Sequence, residues 1–199
     1  MCLATWSDHE HVVRSICVSP DDRIIFSASE AIRVRDSTGI SRVFEPPRDC
    51  LAMTMAPGNT VYALVVDSET CHIIQYNIAG ESLQTFPPSK GMYRLAVSRD
   101  GKYVFGAGWD VRVYDAKTAR LITVLKPPAP SRFTHTGHFK NRWTPTALSA
   151  TAVCVSPDGR SLYVAALESD HRKITPCPYG LVDSPYGQEN LSTIKFWIH

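Results

Sequence analysis

Two stretches of this chain concentrate side chains able to grip another molecule. The first reads Arg132-Phe133-Thr134-His135-Thr136-Gly137-His138-Phe139-Lys140-Asn141-Arg142-Trp143 and interleaves cations with aromatic rings. Arg, Trp and Phe anchor protein interfaces because large, flat side chains bury much area while few bonds are frozen. The same mixture suits RNA, with cations on phosphates and rings stacked on bases. The second stretch carries Asp170-His171-Arg172-Lys173 and a run rich in Tyr, Pro and Gly from Pro176 to Gly187. The residues expected to meet a partner are Arg132, Phe133, His138, Phe139, Lys140, Arg142, Trp143, Arg172 and Lys173. The plainer alternative is a pair of solvated loops with Phe and Trp tucked against the body of the protein. Thr175-Pro176 and Ser184-Pro185 have the pattern of proline-directed phosphate acceptors, whose modification would add negative charge to the second stretch.

Bond-making chemistry has less to work with. His135 and His138 lie three apart, and His171 with Asp170 or Glu168 would have to converge on them to complete a metal site. No strong metal-spacing motif, Gly-x-Ser-x-Gly turn, phosphate loop or dinucleotide glycine motif occurs. No catalytic residue, cofactor or metal is therefore expected. The six cysteines (Cys2, Cys17, Cys50, Cys71, Cys154 and Cys177) include no Cys-x-x-Cys pair. Cys17 and Cys154 sit in apolar runs, where a free cysteine is expected to act as a small core hydrophobe.

Bulk properties narrow the partners. A formal net charge of +2 gives no whole-chain argument for nucleic acid, so RNA is a secondary expectation behind other proteins. No apolar run approaches the ~20 residues that span a bilayer, and no membrane contact is expected. The start of the chain, Met1 to Asp8, has neither a basic end nor an apolar stretch. It reads as lacking a secretory signal, which points to the cytoplasm or nucleus.

The elements that hold these stretches recur. Val18-Ser19-Pro20-Asp21-Asp22, Val97-Ser98-Arg99-Asp100-Gly101 and Val155-Ser156-Pro157-Asp158-Gly159 are copies of one turn, and Met55-Ala56-Pro57-Gly58-Asn59 is a weaker copy. Apolar alternating runs flank each copy, as short strands would. A repeat at this period is one supersecondary unit copied along the chain. Each full unit reads as four antiparallel strands joined by short turns. The units cover about residues 8–45, 46–87, 88–126 and 150–199. The last has three strands of its own, and residues 3–6 are a candidate fourth. Insertions fall at 126–149, after a fourth strand, and at 168–192, after a second strand. Strands in a meander alternate in direction, so both insertions leave the same face, beside the last unit.

The run Ala152-Val153-Cys154-Val155-Ser156-Pro157-Asp158-Gly159-Arg160-Ser161-Leu162-Tyr163-Val164-Ala165 resembles the first two strands of a WD40-type propeller blade. Thr193-Ile194-Lys195-Phe196-Trp197 resembles the third strand, ending in that family's Trp. Asp8-His9 sits where the family carries Gly-His, and Asp115 sits where it carries the Asp of Trp-Asp. Arg35, Tyr76 and Tyr114 stand in for the Trp of the first three blades, so the family's buried His-Ser/Thr-Asp-Trp network is expected to be incomplete in every blade. Leu95 to Phe105 is also similar to YVTN and lactonase-like propellers. Both resemblances imply an all-β propeller of about four four-stranded blades. Such a set is part of a larger ring, pairs with another chain through its open sheet edges, or closes on itself through residues 3–6. The WD40 resemblance implies a non-enzymatic interaction scaffold that binds proteins through the insertions. The alternatives are an RNA-associated propeller subunit and a lactonase-like enzyme. The enzyme would need acidic ligands at the ring centre, drawn from such residues as Asp8, Glu30, Asp67 and Asp110.

Overall fold

In the computed structural model, the described residues are 5–36, 39–67, 70–126, 148–156, 161–168 and 191–197. They form strands and no helix, and so include no helix long and apolar enough to cross a membrane. Four meanders follow one another. The first is β1 (Ser15–Val18), β2 (Ile25–Ala28), β3 (Ile32–Asp36) and β4 (Gly39–Phe44). The second is β5 (Asp49–Ala56), β6 (Thr60–Val66), β7 (Cys71–Tyr76) and β8 (Ser82–Thr85). The third is β9 (Met92–Val97), β10 (Tyr103–Gly108), β11 (Val111–Asp115) and β12 (Leu121–Leu125). The fourth has three strands, β13 (Leu148–Val155), β14 (Ser161–Glu168) and β15 (Leu191–Trp197). All pairings within the four sheets are antiparallel. The chain is an all-β protein with the blades of a propeller.

The recurring turn works through its serine. Ser19 Oγ accepts from the Ile24 N–H at 2.8 Å and donates to the Asp21 carboxylate at 2.6 Å. Ser98 Oγ repeats this, accepting from the Tyr103 N–H at 2.9 Å and donating to Asp100 at 2.7 Å. Ser156 Oγ accepts from the Ser161 N–H at 2.8 Å. One hydroxyl thus satisfies the backbone donor left over where the strand has turned. Asp22 and Gly101 hold the same place in their turns, at φ 58° and 73°, left-handed values that Gly adopts without steric cost and Asp tolerates. Ala56 has no hydroxyl, and the second meander turns tightly instead, with Ala56 paired to Thr60 across Pro57-Gly58-Asn59.

The sheets stack in chain order. β1 packs against β5, β5 against β9 and β9 against β13, while no comparable packing joins β13 to β1 among the described residues. Three apolar clusters fill the spaces between consecutive blades. Phe26, Ala28, Ile32 and Val34 meet Val61, Ala63 and Ile74. Tyr62, Leu64 and Ile73 meet Met92, Val104 and Tyr114. Phe105, Ala107 and Val113 meet Leu162 and Val164. Burying one such side chain completely contributes about 1.5–3 kcal/mol.

Among the described residues, an aromatic residue ahead of the second and of the third blade locks each to the one before it. Phe44 lies 5.2 Å from the Tyr76 ring, and Phe86 lies edge-on to Tyr114 at 5.6 Å. Trp6 takes this place ahead of the first blade, and its partner is the Arg35 guanidinium, 5.0 Å from the ring centroid. Thr5 and Trp6 are not in a strand, and residues 3 and 4 lie outside the described residues.

Two expectations change. Strand register places Phe196, not Trp197, opposite Leu162, just as Tyr114 lies opposite Val104 and Arg35 opposite Ile25. The position of the blade's third-strand aromatic is therefore 196 in the fourth blade. Cys50 and Cys71 are buried, but Cys17 is half-buried and Cys154 is exposed. Cys154 alternates with Val153 and Val155, which face the third blade, so it points to the other side of the sheet, where no blade packs among the described residues.

Replacing Ser98 with Ala leaves the Tyr103 N–H without its acceptor in a place where the serine is buried. The expected cost is about 1–2 kcal/mol, read as a lower urea midpoint with an unchanged slope.

Candidate interaction face

Strand direction divides the molecule into two faces, and register shows what emerges on one of them. Leu148 pairs with Glu168, and Leu167 pairs with Leu191. The end of the first insertion and both ends of the second therefore meet at one edge of the fourth blade. The first insertion begins after Leu125, which pairs with Val111 beside the turn at Trp109 and Asp110. The backbone thus brings the roots of both insertions to the face that also carries Trp109. Arg132, Phe133, His138, Phe139, Lys140, Arg142, Trp143, Arg172 and Lys173 lie outside the described residues, as do Thr175 and Ser184.

Trp109 is the aromatic residue that sequence reasoning missed. It sits in the two-residue turn between β10 and β11 and is 57% exposed. Its N–H donates to the Gly91 carbonyl at 3.0 Å. Its ring lies over Gly91, where a Cβ would come within 2.6 Å of Cδ2. Gly91 also has φ 68°, so a side chain there is opposed twice, by the ring and by the backbone. The signal was available: a Trp in so short a turn has no interior to enter.

Several charges near the strand ends and lead-in segments are paired. Arg48 meets Asp67 at 3.1 Å between the lead-in of the second blade and the turn after β6. Arg112 donates to both oxygens of Asp110, at 3.0 and 3.4 Å. His9 and Arg33 each stand 3.5 Å from Glu30, and Arg35 holds Asp8. The four acids that a lactonase-like centre would draw on thus each carry a basic partner, and they are spread over three blades. A cavity of about 590 Å³ opens instead among the first strands of blades two, three and four. Its lining includes Met55, Leu95, Val97, Arg99, Cys154 and Val155, with no carboxylate among the described residues.

The network around Glu30 has the outline of a hydrolytic relay. Ser27 Oγ and His9 Nε2 are 2.8 Å apart, and His9 Nδ1 faces Glu30. Catalysis needs more than that outline: a nucleophile open to substrate and backbone donors for the developing oxyanion. Ser27 lies mid-strand, between Ile16 and Arg33 in the ladder, so its backbone neighbours are taken up in the sheet. The same four positions match the buried His-Ser/Thr-Asp-Trp network of WD40 blades. Three are occupied in kind, with Glu30 as the acid, so the first blade comes closer to a complete network than its sequence suggests. Only the Trp is replaced, by Arg35, and Asp8 then supplies the charge that a buried guanidinium requires.

The Glu30 carboxyl is held down from 4.5 to about 2, first by the Ser29 hydroxyl and then by its own N–H, the Glu10 N–H and His9. A depressed folded value stabilises the protein above the ordinary carboxylate range, and that contribution disappears as pH falls from about 4.5 towards 2. A Glu30→Gln variant is therefore expected to lose less stability than the parent across that window in urea titrations at stepped pH.

Known proteins match this arrangement in part. The family model described as WD domain, G-beta repeat, matches residues 1–38, the stretch that carries Trp6, Asp8, His9, Ser27, Glu30 and Arg35. A search of curated proteins gives no match. Among solved structures 671 chains are similar, so the fold alone selects no chemistry. One of them, Kuenenia stuttgartiensis hydrazine synthase, aligns with a TM-score of 0.59 at 14% identity, over 81% of this chain and 45% of that one. The chain thus spans less than half the length of that structure, and at such identity the likeness concerns the fold. Residues 1–38 match a WD40 repeat, and the four meanders have the propeller architecture that such repeats build.

Proposed function

We propose that this chain is a non-enzymatic scaffold that binds other proteins through one face. WD40 domains in general bind other proteins, and the residues that carry the inference here are particular. Trp109 stands exposed on a fixed turn, on the same face as the roots of two insertions, the first rich in Arg, Lys, Phe and Trp and the second carrying Arg172 and Lys173. Rigid sheets below and long loops above are the usual construction of a recognition surface. Trp109 needs no ordering when a partner arrives, because Gly91 already holds it, and that lowers the entropic cost of binding. The pairing of Asp8, Glu30, Asp67 and Asp110 with basic neighbours argues against an acidic metal centre and so favours binding over catalysis.

Affinity capture with Trp109→Ala and with Arg142→Ala/Trp143→Ala tests the reading. A central Trp typically contributes 2 kcal/mol or more, so recovery of a direct partner is expected to fall by about 30-fold. The same set of proteins captured by parent and both variants would sink it. Capture of RNA that weakens steeply between low and moderate salt would replace it with the nucleic-acid reading.

A further inference from the structure

Charge is spread unevenly along the chain. Residues 116–157 hold Lys117, Arg120, Lys126, Arg132, Lys140 and Arg142, six of the 21 Lys and Arg, and none of the 19 Asp and Glu. That leaves 15 cations against all 19 acids elsewhere, so the small net charge of +2 conceals a separation of sign.

The fold brings part of the cationic stretch to Trp109. Lys126 follows Leu125, which pairs with Val111 next to the turn at Trp109 and Asp110. Lys90 precedes Gly91, the residue beneath the Trp109 ring. Arg94 pairs with Ala107, two residues before Trp109, and shares with it the side of the sheet that faces blade four. Lys90, Arg94 and Lys126 are all exposed. The acid at this corner, Asp110, is taken up by Arg112, which reaches both of its oxygens.

Blade two has the opposite sign on the same face. Glu45, Asp49 and Asp67 lie there with Arg48, which is itself paired to Asp67 at 3.1 Å. Blade one is mixed, with Asp8, Glu10 and Glu30 among Arg14 and Arg33. A boundary of sign therefore crosses the face, and the fixed indole of Trp109 stands on its positive side.

We infer, on the binding role proposed above for this face, that the Trp109 corner takes an acidic peptide segment of a partner protein. One large apolar side chain of that segment lies on the indole, and its carboxylates meet Lys90, Arg94 and Lys126. Exposed cations draw carboxylates in before contact and set the register of docking. The indole supplies the buried area, already oriented by Gly91. A nucleic acid strand fits less well. It carries a phosphate about every 3.4 Å and needs cations along its whole path. On this face such a path runs from blade three onto the acids of blade two.

Panning random phage-displayed peptides against the full chain tests this. The recovered peptides are expected to be rich in Asp and Glu around a Trp, Phe or Leu. The tightest, made as a labelled peptide, is expected to bind about 10-fold more weakly to Lys90→Glu/Lys126→Glu. Its loss on Trp109→Ala is expected to be about 30-fold. Both variants alter exposed side chains, and circular dichroism checks that they fold. Changing the peptide's acids to amides should remove most of the salt dependence of binding. Peptides that need Trp109 but carry no excess of acid overturn the acidic ligand and leave the binding role standing. Acidic peptides indifferent to Lys90→Glu/Lys126→Glu do the same. Peptides indifferent to Trp109→Ala, or none recovered, overturn both. Tighter binding of poly(U) than of any peptide, lost in the double variant, puts RNA in the peptide's place.

Discussion

A four-stranded sheet of this composition has two apolar faces, and no single meander can bury either alone. That constraint organises everything else in the molecule. Alternation along a strand normally puts apolar residues on one side and polar residues on the other. Here Val61 to Val65 are buried without interruption, because β6 has a blade on each side. Each blade therefore serves as its neighbour's core. The aromatic locks of Phe44 on Tyr76 and Phe86 on Tyr114 extend that dependence to the connections, since each lead-in segment belongs to two blades at once.

The strand plan was legible because its signals are local. Thr60–Val66, Cys71–Tyr76 and Leu121–Leu125 are short runs rich in Val, Ile, Leu and Tyr that lie between turn residues. The serine turns could be placed for the same reason, as a hydroxyl five residues ahead of a backbone N–H closes a loop that involves no distant residue. What escaped depends on position in the stack. Cys17 and Cys154 occupy equivalent places in their repeats, yet Cys17 packs against the second blade while Cys154 is exposed. No pattern within a single repeat separates an inner blade from an outer one. The place of Phe196 is illegible for a related reason, because the long insertion before β15 leaves the register of that strand to its pairing with β14.

The candidate face was legible as topology and less so as residues. Strand parity alone put both insertions on one side, and the pairing of Leu148 with Glu168 and of Leu167 with Leu191 agrees with it. Loop length gives no signal for Trp109, because its exposure comes from the shortness of its turn. The ion pairs were hidden for a different reason. Asp8 and Arg35, or Arg48 and Asp67, are far apart in sequence and meet only once the lead-in segments lie across the sheets.

Arg35 in the place of an aromatic has a consequence for how such a chain changes over generations. Repeats multiply by duplication, and a copied blade works wherever its borders match. The blades with Tyr76 and Tyr114 ask only for an aromatic ring at the end of the preceding blade. The blade with Arg35 asks for a ring and an acid, Trp6 and Asp8, in a linker that precedes its own sheet. Copied elsewhere without that linker, it would carry a buried cation with no counter-charge, a defect worth several kcal/mol. Positions 8 and 35 are thus free to change only as a pair, and the first blade has lost the interchangeability that made a repeat protein possible in the first place.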